Sequence, residues 1–190
     1  MKIFSNFDSE WKKEAYNEMV EKYGENNVLV LNKSFLFFFV KVLFPILWWF
    51  IAIFSLRIII YINLDDNTIK VLFTLFMLLL YWFLLTISSV LKYYVDYKMD
   101  FSIVTPEYLT RYNQSWFFKR DIKSSYVRSI KTITIVKNSM LYNIFNNWNL
   151  LFLSEWDREK WDWEIILHYI KNPEEKKKEI TRIMKIFNQI

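Results

Sequence analysis

The chain has 190 residues, enough for one or two domains, and its 54% hydrophobic and 21% aromatic content is high for a soluble protein. It has no cysteine, which excludes disulfides and thiolate chemistry. Its single histidine, His168, leaves a His-based metal site or His-dependent catalysis almost nothing to draw on. The net charge of +5 is uneven: residues 1–34 carry 5 basic and 6 acidic groups, residues 35–91 carry 3 and 2, and residues 92–190 carry 17 and 12. The positive excess of the last segment weakly favours anionic lipid or an acidic partner.

Residues 9–23 have helical character, with Trp11, Ala15 and Met19 four apart, Tyr16, Val20 and Tyr23 on a neighbouring track, and Gly24 as a stop. With six acidic residues over 1–34, the N-terminal segment is disfavoured at an anionic bilayer surface, so packing on the C-terminal domain is expected. Residues 28–31, VLVL, form a short apolar run leading toward the next segment. Residues 1–31 are too polar for a cleavable signal, so the first span is expected to direct insertion.

Residues 71–91, VLFTLFMLLLYWFLLTISSVL, run 21 residues without a charge and match the length needed to cross a bilayer. A first span over 42–62 is less clean. Lys41 and Arg57 reach its two interfaces by snorkelling, and Pro45 sits in its first turn, where a missing N–H costs little. An intramembrane charge also marks functional sites, which keeps Arg57 a candidate. The linker NLDDNTIK is acidic and short, while Lys22, Lys33, Lys41, Lys92 and Lys98 flank the other ends of the spans. The expectation is a multi-pass hairpin in the cell (cytoplasmic) membrane with both termini cytoplasmic.

Beyond residue 92 the period changes to that of strands: 100–105, 108–112, 117–122, 130–136, 149–153 and 164–169, with polar turns at 106–107, 113–115, 137–139 and 146–147. A small antiparallel sandwich or barrel follows from strands at this spacing. A last helix is signalled by Asn172 as N-cap, Pro173 at the first helical position and Glu175 three beyond the cap. Ile180, Ile183, Met184 and Phe187 form its apolar stripe, and Lys176, Lys177 and Lys178 a solvated face.

Three stretches, DFSIVTPEYLTRYNQSWFFKRD, VRSIKTITIVKNSMLYNIFNNWNLLFLS and EIILHYIKNPEEKKKEITRIM, together with the order of the spans, resemble the membrane-anchored bacterial pleckstrin-homology-like (PH-like) domain family. The resemblance implies a membrane α-helical hairpin of two transmembrane helices, then a mainly-β, seven-stranded PH-like barrel closed by a C-terminal α-helix. Domain limits would be 1–34 for a cytoplasmic N-terminal segment, 35–91 for the hairpin and 92–190 for the PH-like domain. It further implies a binding or assembly module with no general enzymatic activity.

Glycine and tryptophan are inverted in frequency. There is one glycine, Gly24, where ordinary usage predicts roughly 13, and there are nine tryptophans. Five of these, Trp116, Trp148, Trp156, Trp161 and Trp163, lie in polar, turn-like sequence, and the family resemblance implies glycine at the positions of Trp116 and Trp148. Two readings account for this: a stop codon reassigned to glycine in the source but read as tryptophan, or a low-GC composition with aromatic residues packing the loops.

Nothing rises to a catalytic constellation, and no cofactor or metal is expected. Glu155, Asp157, Glu159, Asp162 and Glu164 alternate with Arg158 and Lys160, as a solvated hairpin tip does. His168 reads as a half-exposed strand residue. The basic cluster Arg111, Lys119, Arg120 and Lys123, with Arg128 and Lys131 beyond, is the candidate lipid or partner contact, sharing a hairpin face or rim. Aromatic residues interleave with these cations, but a membrane tether argues against nucleic acid. The expected function is a non-catalytic, membrane-tethered PH-like module for protein–protein interaction or self-association. The alternatives are anionic-lipid headgroup binding and an accessory subunit of a transporter or envelope-synthesis complex.

Overall fold

Helix α1 (Ile3–Tyr23) stops where Gly24 takes φ 82°, a conformation that costs glycine nothing, and donates its N–H to the Val20 carbonyl at 2.8 Å. The computed structural model describes residues 3–62, 66–115, 119–137, 143–154 and 165–187. The inward side of α1, carrying Trp11, Ala15, Tyr16, Met19, Val20 and Tyr23, packs on buried Val28, Phe101, Ile103 and Tyr112. Trp11 meets Phe101 and Tyr112 edge-on at 5.2 and 5.0 Å, and those two rings stack at 4.6 Å.

The VLVL run does more than lead onward. Strand β1 (Leu29–Asn32) pairs antiparallel with β2 (Phe101–Val104), from Leu29 opposite Val104 to Asn32 opposite Phe101. A four-residue strand whose partner lies beyond the whole helical segment leaves no local trace of its pairing. The chain thus forms two units, residues 1–36 with 96–190, and residues 37–95.

The helical unit continues a run that begins with α2 (Phe35–Phe38), widens into a π-helical turn at Phe39–Leu43 and proceeds as α3 (Phe44–Ile62). In that turn the Phe44 N–H reaches the Phe39 carbonyl. The wide turn immediately precedes Pro45, whose ring would clash with the carbonyl four residues back and which has no N–H to donate. Helix α4 (Asp66–Met99) follows. The segments Phe35–Ser55 and Lys70–Met99 are long and apolar enough to cross a membrane. Their large side chains are mostly exposed: 62% at Trp48, 68% at Phe50 and 65% at Trp82. Between α3 and α4, Trp49 Nε1 donates to Thr86 Oγ1 at 3.0 Å, and the Trp49 and Phe83 rings meet edge-on.

In the other unit, β3 (Tyr108–Ser115) and β4 (Lys119–Tyr126) complete a sheet of order β1-β2-β3-β4. The turn expected at 113–115 is instead strand, because Asn113, Gln114 and Ser115 pair with Asp121, Arg120 and Lys119. A second sheet holds β5 (Ile130–Val136), β6 (Asn147–Ser154) and β7 (Ile165–Lys171) in that order. Helix α5 (Pro173–Phe187) buries Ile180, Ile183 and Met184 against Leu29, Leu31, Val104, Leu109, Leu150 and Phe152. At its start Asn172 takes φ 50° and its amide donates to Glu175 Oε2 at 3.2 Å.

The expected barrel does not close among the described residues. The four- and three-stranded sheets share no ladder, and the backbone link between their edges is one hydrogen bond, Ser34 N–H to the Tyr169 carbonyl at 2.8 Å. At β6–β7 the register slips between Trp148 and Leu150, so that Asn149 faces both His168 and Tyr169. Tyr169 sits at φ 59°, its N–H capped by Asn149 Oδ1 at 3.2 Å. This bulge turns the Tyr169 carbonyl toward Ser34.

Trp148 is buried on β6, under the Lys137 ammonium at 3.6 Å from its ring centroid, yet its Nε1–H has no acceptor. An unmet buried donor is costly. Trp116, Trp156, Trp161 and Trp163 and the carboxylates 155–164 lie outside the described residues.

Candidate functional site

The β3–β4 hairpin carries the predicted cations, and its two-residue period divides them. Directly opposed residues share a face. Arg111 lies opposite Lys123, whereas Arg120 lies opposite Gln114, on the other face. There the Arg120 guanidinium stacks 3.6 Å above the Trp11 ring and donates to Gln114 Oε1 at 3.3 Å. Arg120 therefore secures α1 to the sheet. Lys119 pairs with Ser115 where the hairpin is described closest to its tip. Arg111, Lys119 and Lys123 share a register parity that Arg120 does not.

Arg111 instead belongs to a cleft. Its walls include Lys33 and Asp100, which flank β1 and β2, Arg111 and Tyr112 on β3, and Ile166 and His168 on β7. The open space is about 30 Å³, room for roughly two water-sized groups. Lys33 Nζ sits 2.6 Å from Asp100 Oδ2, with both side chains largely buried. The other oxygen, Oδ1, accepts the Gln114 N–H at 2.7 Å. Asp100 is thereby fully engaged.

Arg111 is not so provided for. Its Nη2 reaches only the neutral Asn113 Oδ1, at a long 3.4 Å, and among the described residues no carboxylate pairs with it. Burial lowers its pKa, while Asp100 acts in the opposite direction. His168, exposed on one side at the mouth, is pushed below its ordinary value, first by desolvation and then by the charges of Arg111 and Lys33. Burial, with the charge of Glu18, raises Tyr112. The arrangement gathers three basic groups around one already neutralised carboxylate.

Sequence reasoning found Arg111 but not this grouping. Lys33, Asp100 and His168 are far apart in the chain, and what joins them is the β1–β2 pairing and the bulge at Tyr169. A second polar cluster fixes α1: Tyr23 Oη donates to Glu107 Oε2 at 2.5 Å, with Lys22 at 3.3 Å. The Tyr23 hydroxyl, then Lys22, hold Glu107 below the usual carboxylate range.

No family model, curated protein or solved structure matches the chain.

Proposed function

We propose that this chain is a non-catalytic, membrane-tethered binding module, its β unit at the cytoplasmic face of the cell membrane, that engages a membrane protein or a second copy of itself. The observation that carries the reading is the β4 edge. Eight residues long, β4 pairs with β3 alone among the described residues and exposes Ile122 and Tyr126 by more than half. An unpaired edge is a template for an added strand. The cation at Lys123 opposes indiscriminate pairing and favours an acidic partner segment.

The PH-like assignment is supported by seven strands among the described residues, in two antiparallel sheets followed by a C-terminal helix. In this chain the first of the seven precedes the helical hairpin and six follow it. Residues 92–190 would then need β1 to complete the domain.

The test is crosslinking of the full-length chain in its native membrane, read by mass spectrometry. The expected result is recurrent capture of one membrane protein, or of the chain itself, with crosslinks at 119–126 that vanish in the double variant Ile122→Lys, Tyr126→Lys. Crosslinks that persist in that variant would sink the edge-strand reading.

A further inference from the structure

We propose that the cleft formed by Lys33, Arg111 and His168 is a binding site for a single oxyanion group of the phosphate class. This goes beyond the partner reading, which rests on β4 and needs no small ligand.

A half-buried guanidinium has five donors and a permanent charge, and it is stable there only when both find a match. Arg111 has one weak neutral acceptor. The carboxylate that lines the same cleft is committed to Lys33 and to the Gln114 N–H, so it neutralises Lys33 and leaves the Arg111 charge over. An incoming oxyanion meets that charge with planar, two-pronged donors suited to phosphate geometry.

The facing titratable and charged groups are Lys33 after β1, Asp100 before β2, Arg111 and Tyr112 on β3, and His168 on β7. Only His168 changes charge near neutrality. A bound oxyanion favours imidazolium, so for an anion of fixed charge binding takes up a proton and tightens as pH falls toward 6, while inorganic phosphate itself also gains a proton across this range. The small space admits two oxygens of one oxyanion head and leaves the rest of it, with any attached group, outside on the side of exposed His168.

The phosphate belongs either to a free ion or to a lipid headgroup. Lys33 lies two residues before the helical run that starts at Phe35, and Asp100 directly follows α4.

The experiment uses the full-length chain in a phosphate-free nonionic detergent, with inorganic phosphate titrated calorimetrically against chloride at matched ionic strength. Saturable binding is expected, with affinity down at least tenfold in Arg111→Gln, partly restored in Arg111→Lys, and unchanged in Lys178→Gln, an exposed cation on α5. His168→Gln is expected to bind with the His168 part of the pH dependence removed and only phosphate's own protonation left, a readout from a residue exposed enough to be replaced without loss of folding. Heat no different from chloride would overturn the proposal, and so would equal losses in Lys178→Gln and Arg111→Gln, which would mark diffuse surface charge. The chain is then placed in phosphatidylcholine nanodiscs with or without phosphatidic acid. Loss of phosphate binding only with phosphatidic acid assigns the site to a headgroup, and retained binding assigns it to the free ion.

Discussion

The two units use the same residue types to opposite ends. In the helical unit Trp48, Phe50 and Trp82 leave 62%, 68% and 65% of their surface uncovered, whereas in the β unit Phe152, Ile103 and Leu150 leave 2%, 1% and 0%. In water each large apolar side chain left uncovered forgoes about 1.5–3 kcal/mol. A segment that exposes so many is matched to a medium that removes that cost, and both segments have the length for it. Apolarity alone thus does not say where a core lies; the surrounding medium decides which face an element must hide.

The largest effects test that contrast directly. Phe152→Ala empties a site walled by both sheets and α5, and is expected to cost about 3–5 kcal/mol in denaturant unfolding of the full-length chain in detergent. Phe50→Ala in α3 is expected to change that same transition far less. Equal costs would break the comparison. Leu80→Arg, near the middle of α4, should raise the insertion cost by about 2.5–3.5 kcal/mol and shift the chain toward the alkali-extractable fraction. Full retention after alkaline washing would count against a membrane-spanning α4.

A smaller effect is expected where α3 meets α4. Thr86 accepts the Trp49 indole N–H while its hydroxyl also bonds the carbonyls of Trp82 and Phe83. Thr86→Val removes this link, and side-chain hydrogen bonds between helices in lipid are worth only about 0.6 kcal/mol on average. Detergent-dependent helix separation, read by the distance between spin labels on α3 and α4, should move slightly. A collapse of the hairpin would mean that the link matters more than apolar packing.

Local pattern carried most of the architecture. The helical period of α1, the uncharged stretch of α4, all of β5 and the Asn172-Pro173 start of α5 are legible because each is decided by residues a few positions apart. Pairing was not legible. Leu29–Asn32 became a strand because Phe101–Val104 returns beside it, and Asn113–Ser115 extended β3 because β4 offered partners. Closure of the sheets likewise depends on long-range geometry, which one hydrogen bond at Tyr169 does not complete. For the site, the sequence marked Arg111 as a surface cation, while the partners that make it unusual arrive from β1, β2 and β7. Trp148 lies not in a turn but on β6 opposite Ile170, its buried indole lacking an acceptor, while the positive φ angles beyond Gly24 among the described residues fall at Asn146, Tyr169 and Asn172. Peptide mass spectrometry of the native protein across residues 146–150 decides between the two readings: glycine at position 148 supports codon reassignment, and tryptophan there ends it for that position.

The subtlest test concerns the one histidine, and it follows from the same contrast between covered and uncovered groups. Desolvation, then Arg111 and Lys33, hold the His168 pKa below its ordinary 6.5, so between those two values the unfolded chain binds more protons than the folded one. Stability therefore rises with pH across that window: its contribution is complete above the ordinary value and is lost as pH falls through it toward the folded value. Unfolding midpoints of the full-length chain, taken from pH about 8 to about 5, should decline more steeply than those of His168→Gln. Inorganic phosphate should lessen the decline, because an anion beside the ring raises the folded pKa toward the unfolded one. A decline identical in both proteins would place the pH sensitivity elsewhere, in the carboxylates, and a decline unmoved by phosphate would separate the histidine from the cleft.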